Sequence, residues 1–216
     1  PEQAKRHPYG WRPGENIVKS SGRDIAVRAS KFQGYVYRTD GFWNLINIHF
    51  LGCVGHSIIL IGIVPMAMHH GMSSLAAAGV LTTFTGASLI SRFFTPVLGE
   101  SIGSKSVMFI ALAGQGLSVL LLLGNPSPTM FYIFALVFAL PYGGEGSAFP
   151  VINRQYYGQA PMGVTYGWQL LGAGLGMALG GILTGVTFDL TNSYTFAIVL
   201  SAVFSLVGAV SVVLLE

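Results

Sequence analysis

The sequence is short of charge. Only 9% of its 216 residues are Asp, Glu, Lys or Arg, against about a quarter in a soluble domain, while 52% are hydrophobic. That balance excludes an ordinary soluble protein and points to a chain that crosses a membrane several times. Cysteine is nearly absent. Cys53 stands alone inside an apolar run, so neither a disulfide framework nor a cysteine-based zinc site is expected. No cleavable leader opens the chain, and no initiator Met is present. The chain begins at Pro1 in a polar run and ends at Glu216 directly after an apolar one. Both ends look cut, as in a fragment or one half of a larger protein. Nothing in the sequence assembles a nucleophile–base pair or a metal constellation. Neither an enzyme nor a cofactor is therefore expected. The net charge of +3 is no nucleic-acid footprint either, because the basic residues form no folded basic face.

What is there falls into two parts. Residues 1–41 form a polar arm with eight of the eleven Lys and Arg residues, and 42–216 form an apolar domain. In the arm, Asp24–Tyr37 mixes Ile25, Val27, Phe32, Tyr35 and Val36 with Arg28, Lys31 and Arg38. This is the pattern of a short helix lying at a membrane surface. Six apolar segments follow, each near the ~20 residues a crossing needs: Phe42–Met68, Leu75–Leu98, Ser106–Leu123, Met130–Phe149, Gly163–Phe188 and Tyr194–Leu215. The breaks between them are punctuated by His69–Ser73, Glu100–Lys105, Asn125–Pro128, Val151–Pro161 and Asp189–Ser193. If the arm is cytoplasmic, Lys105 and Arg154 fall in inner loops, and the outer loops hold no Lys or Arg. This is the positive-inside pattern, with both termini inside. The expected fold is all-α, with six transmembrane helices.

One stretch departs from plain hydrophobicity. In Gly86–Lys105, Arg92 sits among Ile90, Phe93, Phe94, Val97 and Leu98, eight residues before Glu100. Helical rise places it ~12 Å from that acid along the axis. A guanidinium at hydrocarbon depth costs about 2.5–3.5 kcal/mol on insertion scales, so it normally faces a cavity or a partner.

The residues Arg92, Gly99, Glu100, Gly103 and Lys105 resemble the cytoplasmic-loop motif of the major facilitator superfamily, with Glu100 where Asp is usual. The segment Pro141-Tyr142-Gly143-Gly144-Glu145-Gly146 with Pro150, Tyr157 and Gly158 is similar to its tenth helix. The run Gly163, Gly167, Gly172, Gly174, Gly176, Gly180, Gly181, Gly185, Asp189, Tyr194 is similar to its glycine-rich eleventh. Gly10-Trp11-Arg12-Pro13 followed by Gly41-Phe42-Trp43 resembles the central loop and seventh helix of the oxalate/formate antiporter and monocarboxylate transporter branch. The resemblance implies the second half of a twelve-helix secondary transporter, with the first six-helix half absent from this chain. It also implies a central cavity lined by the spans at Phe42–Met68 and Met130–Phe149, and a small organic anion as cargo. In that branch an Arg on the eighth helix faces the substrate carboxylate, the position of Arg92. Dianion carriers of the branch place a Lys on the eleventh helix. None lies between Gly163 and Phe188, which favours a monoanion.

The chemistry of the residues runs parallel. Arg92 offers a fork for a carboxylate, or it latches to an acid, or it snorkels to the inner interface. Glu145 is a candidate proton-coupling acid, since burial favours the protonated carboxyl, or an ion-pair partner for Arg92. His49 and His56 are seven residues apart and share one face of the first span. With Tyr142 they are candidates for substrate contact. A metal held by His49, His56 and Glu145 is not demanded by their spacing. His69 and His70 are expected in a solvated outer loop. Gly172, Gly176 and Gly180 recur every four residues within a membrane helix. That spacing is a packing stripe rather than a nucleotide fingerprint, which needs a βαβ unit. Two function classes stay open: a proton-coupled carrier working by alternating access, and a non-transporting membrane module or truncated remnant.

Overall fold

A computed structural model describes residues 22–158 and 163–215. The first half of the arm, with its Gly10–Pro13 motif, and Pro161 lie outside them. Among the described residues there are seven α-helices and no strand: α1 Gly22–Val36, α2 Asp40–His69, α3 Ser74–Ile102, α4 Ser104–Ser118, α5 Pro128–Tyr157, α6 Gly163–Thr191 and α7 Thr195–Val213. A 3-10 turn, Val119–Leu122, continues α4.

Local chemistry explains most of the boundaries. Ser73 accepts from the Ala76 N–H and Ser127 from the Met130 N–H, capping α3 and α5. Pro128 stands at the first position of α5, where its missing N–H has no helical partner to lose. Asn192 leaves α6 with a positive φ of 49°, a conformation that Asn tolerates. Lys105 at the start of α4 donates to the Val213 and Leu215 carbonyls that close α7. It thus brings a cation to a helix C-terminus, where the macrodipole favours one.

Several breaks are tighter than expected. The hairpin Glu100–Lys105 is helical on both sides of one residue, Gly103 at φ 86°, because a single left-handed residue is enough to end α3 and start α4. The segment Val151–Tyr157 belongs to α5, so Arg154 sits on a helix and not in a loop; its guanidinium donates to the Gly158 carbonyl. Asp189 lies in the last turn of α6. His69 ends α2 and His70 follows it. His69 is exposed and His70 half-buried, and they pack on Phe188, Tyr194 and Phe131 with ring centroids 5.5–5.8 Å apart.

Among the described residues, five helical stretches are long and apolar enough to cross a membrane: Asp40–His69, Ser74–Ile102, Ser104–Leu122, Gly163–Thr191 and Thr195–Val213. Pro128–Tyr157 is not one of them, against the expectation of six. This helix carries Glu145, Arg154, two internal prolines and three glycines, which dilute its apolar character.

The packing has a regular scheme. α2 lies against α6 and α7, α5 against α3 and α4, and α4 against α7. Exchanging α2–α4 with α5–α7 in order maps this scheme onto itself. The first helix of each trio runs in the opposite direction, since Asn44 at the start of α2 bonds Ser211 at the end of α7, while Asn153 at the end of α5 bonds Gln169 at the start of α6. The six helices thus form two inverted three-helix repeats.

Backbones meet closely where side chains are absent. On α6, a Cβ at Gly176 would stand 2.4 Å from the Phe50 carbonyl oxygen, and one at Gly180 would stand 2.7 Å from that of Val54. Gly172 lies against Ile46. On α5, a Cβ at Gly143 would stand 2.4 Å from the Ser88 carbonyl oxygen of α3. With no hydrophobic force between helices in lipid, such contacts carry association. Gly176→Ala and Gly180→Ala should each lower stability by about 1–3 kcal/mol through overpacking against rigid backbone. Gly174→Ala, which meets nothing within 4 Å, should be neutral or stabilising by up to ~1 kcal/mol. Melting of the purified protein in detergent checks all three.

Candidate functional site

Side chains from four helices converge mid-bundle. The carboxylate of Glu145 on α5 is 2% exposed. Its Oε2 accepts from Gln115 Nε2 of α4 at 2.7 Å and lies 3.2 Å from His56 Nδ1 of α2. This is the one contact of an acidic with a basic side chain within salt-bridge distance among the described residues. Gly52 makes it possible: a Cβ there would stand 2.2 Å from Glu145 Oε1, so only a glycine lets the carboxylate reach the α2 backbone.

From His56 the contacts run outward. Its ring meets Tyr142 edge-on at 5.0 Å, and Tyr142 also packs on Phe84 and Phe138. The Arg92 guanidinium lies over the Tyr142 ring, 5.5 Å from its centroid, a distance at which a cation is attracted by an aromatic face. Arg92 itself is exposed. It borders Gly146, where a Cβ would be 3.4 Å from Nη1. A continuous line, Arg92–Tyr142–His56–Glu145–Gln115, therefore leads from an exposed cation to a buried acid. Pro96, four residues on, lacks the N–H that would bind the Arg92 carbonyl; Ser147 Oγ of α5 approaches that oxygen at 3.5 Å.

The structure thus brings together Arg92, Tyr142, His56 and Glu145. It does not pair Arg92 with Glu145: the acid has its own buried partners, and the exposed guanidinium lies over Tyr142. His49 is set apart, stacked on Phe149 at 3.7 Å with its Nδ1 unpartnered among the described residues. Gly99 packs by Ser104, and Glu100 is exposed.

Gln115 was missed in the sequence, although it is the single carboxamide in α4 and is flanked by Gly114 and Gly116. An amide in so apolar a span seeks a partner on another helix. The reciprocal clasp of Asn153 and Gln169 was missed too. Each amide donates to the other, at 2.7 and 2.8 Å, with both residues buried.

Residues 45–216 match the family profile described as the Major Facilitator Superfamily. The chain belongs to this superfamily. It is a family of membrane transporters, and the chain is an integral, multi-pass membrane protein. It is 30% identical over 139 residues to an uncharacterized transporter of Bacillus subtilis, YycB, the match covering 61% of this chain and 33% of that protein. The chain therefore spans much less than the length of the curated relative it matches.

The amide clasp yields a stability prediction. Asn153→Leu should destabilise by about 1–3 kcal/mol by stranding the buried Gln169 amide. The double variant Asn153→Leu/Gln169→Leu should recover part of that loss, as read from thermal melts.

Proposed function

We propose that this chain is the C-terminal six-helix half of a twelve-helix secondary transporter, and that it carries a small organic anion such as a monocarboxylate together with a proton by alternating access. In this reading α5 is the sixth crossing. The arm and both termini lie in the cytoplasm, and a partner half of six helices completes the cavity. Superfamily membership supports transport; the cargo is argued from the line of side chains. Its open end is a guanidinium, a fork that binds a carboxylate with two parallel hydrogen bonds. Its buried end is a carboxyl group shared with an imidazole, two groups that exchange protons readily.

The observation that carries the reading is the Tyr142 ring, in contact with both Arg92 and His56. An anion that draws Arg92 away from the ring disturbs the packing of His56 and with it the bond to Glu145. Binding at one end is thereby coupled to proton occupancy at the other.

The test is uptake of a labelled monocarboxylate into proteoliposomes by the full-length protein. Arg92→Ala should raise KM by about tenfold or more, the worth of one charge-assisted hydrogen bond. Arg92→Lys should recover only part of the loss, because the fork is gone. Glu145→Gln should abolish accumulation driven by a pH gradient while sparing exchange of labelled for unlabelled anion. Unaltered kinetics in Arg92→Ala would overturn the anion site.

A further inference from the structure

The fold gathers three metal-ligating side chains that transport, as read above, does not account for together. Cys53 and His56 are three residues apart on one face of α2, and Glu145 reaches them from α5. One ligand atom from each lies within 4.8 Å of the others, and all three are buried. Two buried oxygens at this cluster lack any hydrogen-bond partner among the described residues: Glu145 Oε1 and Gln115 Oε1. An orphaned acceptor at a carboxylate 2% exposed calls for a donor or a cation beside it. We propose that Cys53, His56 and Glu145 form a binding site for a divalent transition metal, with zinc the ion it suits best.

The donor set is thiolate sulfur, imidazole nitrogen and carboxylate oxygen, the three ligand types zinc accepts. Tetrahedral zinc with bonds of about 2.0–2.3 Å needs only a small closing of this cluster. Charge points the same way. A 2+ ion held by one thiolate, one carboxylate and one neutral imidazole leaves a site of zero net charge, the form an apolar bundle interior tolerates best. Binding releases the Cys53 thiol proton and requires His56 to be neutral. Gln115, already against Glu145, is the nearest further donor. Of the other ionisable neighbours, His49 shares the face of α2 with its Nδ1 unpartnered, Tyr142 packs edge-on against His56, and Arg92 lies over Tyr142. A lone cysteine carries no such expectation; packing α5 onto Gly52 of α2 supplies the rest.

The proposal goes beyond the transport reading and is tested without transport. Purified metal-free protein in detergent is titrated with Zn2+ and, separately, with Co2+. We expect one ion per chain by elemental analysis, a Zn2+-dependent rise in Tm, and a thiolate-to-cobalt charge-transfer band. Cys53→Ser should lose the band and weaken binding by tenfold or more, and His56→Gln should weaken binding while keeping the band at saturating cobalt. The absence of any Zn2+-dependent rise in Tm in the unmodified protein overturns the proposal, whatever the variants do. So does a charge-transfer band that persists in Cys53→Ser. Either outcome leaves anion uptake, measured separately, to stand or fall alone.

Discussion

A carboxylate held away from water by three helices sets the terms for the rest of this structure. Glu145 is nearly inaccessible, and the helices around it supply few polar groups. Such a charge persists only where hydrogen bonds replace solvent. Gln115 and His56 provide them, and each constrains its own helix: α4 must turn its one amide inward, and α2 must present a glycine opposite the carboxylate. Gly52 and Gly143 are therefore two parts of one requirement. The first lets the acid reach α2, and the second lets α5, which bears the acid, settle against α3.

The ties between helices follow the same logic elsewhere. Ser201 donates to the Gly55 carbonyl at 2.7 Å, Ser57 to that of Met177 at 3.1 Å, and Ser91 to that of Leu140 at 2.6 Å. Each small hydroxyl sits beside a close helix crossing. In bilayer surroundings such bonds contribute modestly, about 0.6 kcal/mol on average. Their worth lies more in fixing the register between helices whose apolar surfaces would otherwise slide.

How much of this could be read in the sequence depends on the kind of signal. Hydrophobic length and the clustering of Lys and Arg at one end are one-dimensional, and they located the helices to within a few residues except at loop edges. There the edges shifted because Gly103 alone separates α3 from α4 and α5 runs on to Tyr157, so polar residues expected in loops are helical. The four-residue glycine period pointed to close packing because the period itself places Gly172, Gly176 and Gly180 on one face. Partner choice was not legible. Arg92 and Glu145 are both charges at membrane depth, and depth alone allowed a pair between them; only the three-dimensional packing shows that Tyr142 stands beside one and His56 beside the other. Gln115 stood out less because it carries no charge, although a buried amide also needs a hydrogen-bond partner.

The two inverted repeats do not coincide with the tightly packed units. α2 is wedded to α6 through glycines, and α5 to α3 through Gly143, so each packed pair draws one helix from each repeat. Behind them α4 and α7 lie together. Between the pairs, α2 meets α5 narrowly, and a shared apolar core that includes Ile59, Ile63, Phe84, Phe134 and Phe138 holds two polar ties, the His56–Glu145 contact and the Asn153–Gln169 clasp. Close glycine contacts are short-ranged and shape-dependent, so they either hold or fail as a whole. A hydrogen bond to a titratable group can be exchanged for one to a proton, a ligand or an ion at small net cost. The polar ties between the two pairs are therefore the most exchangeable contacts there, and two ionisable residues of the bundle, His56 and Glu145, make one of them.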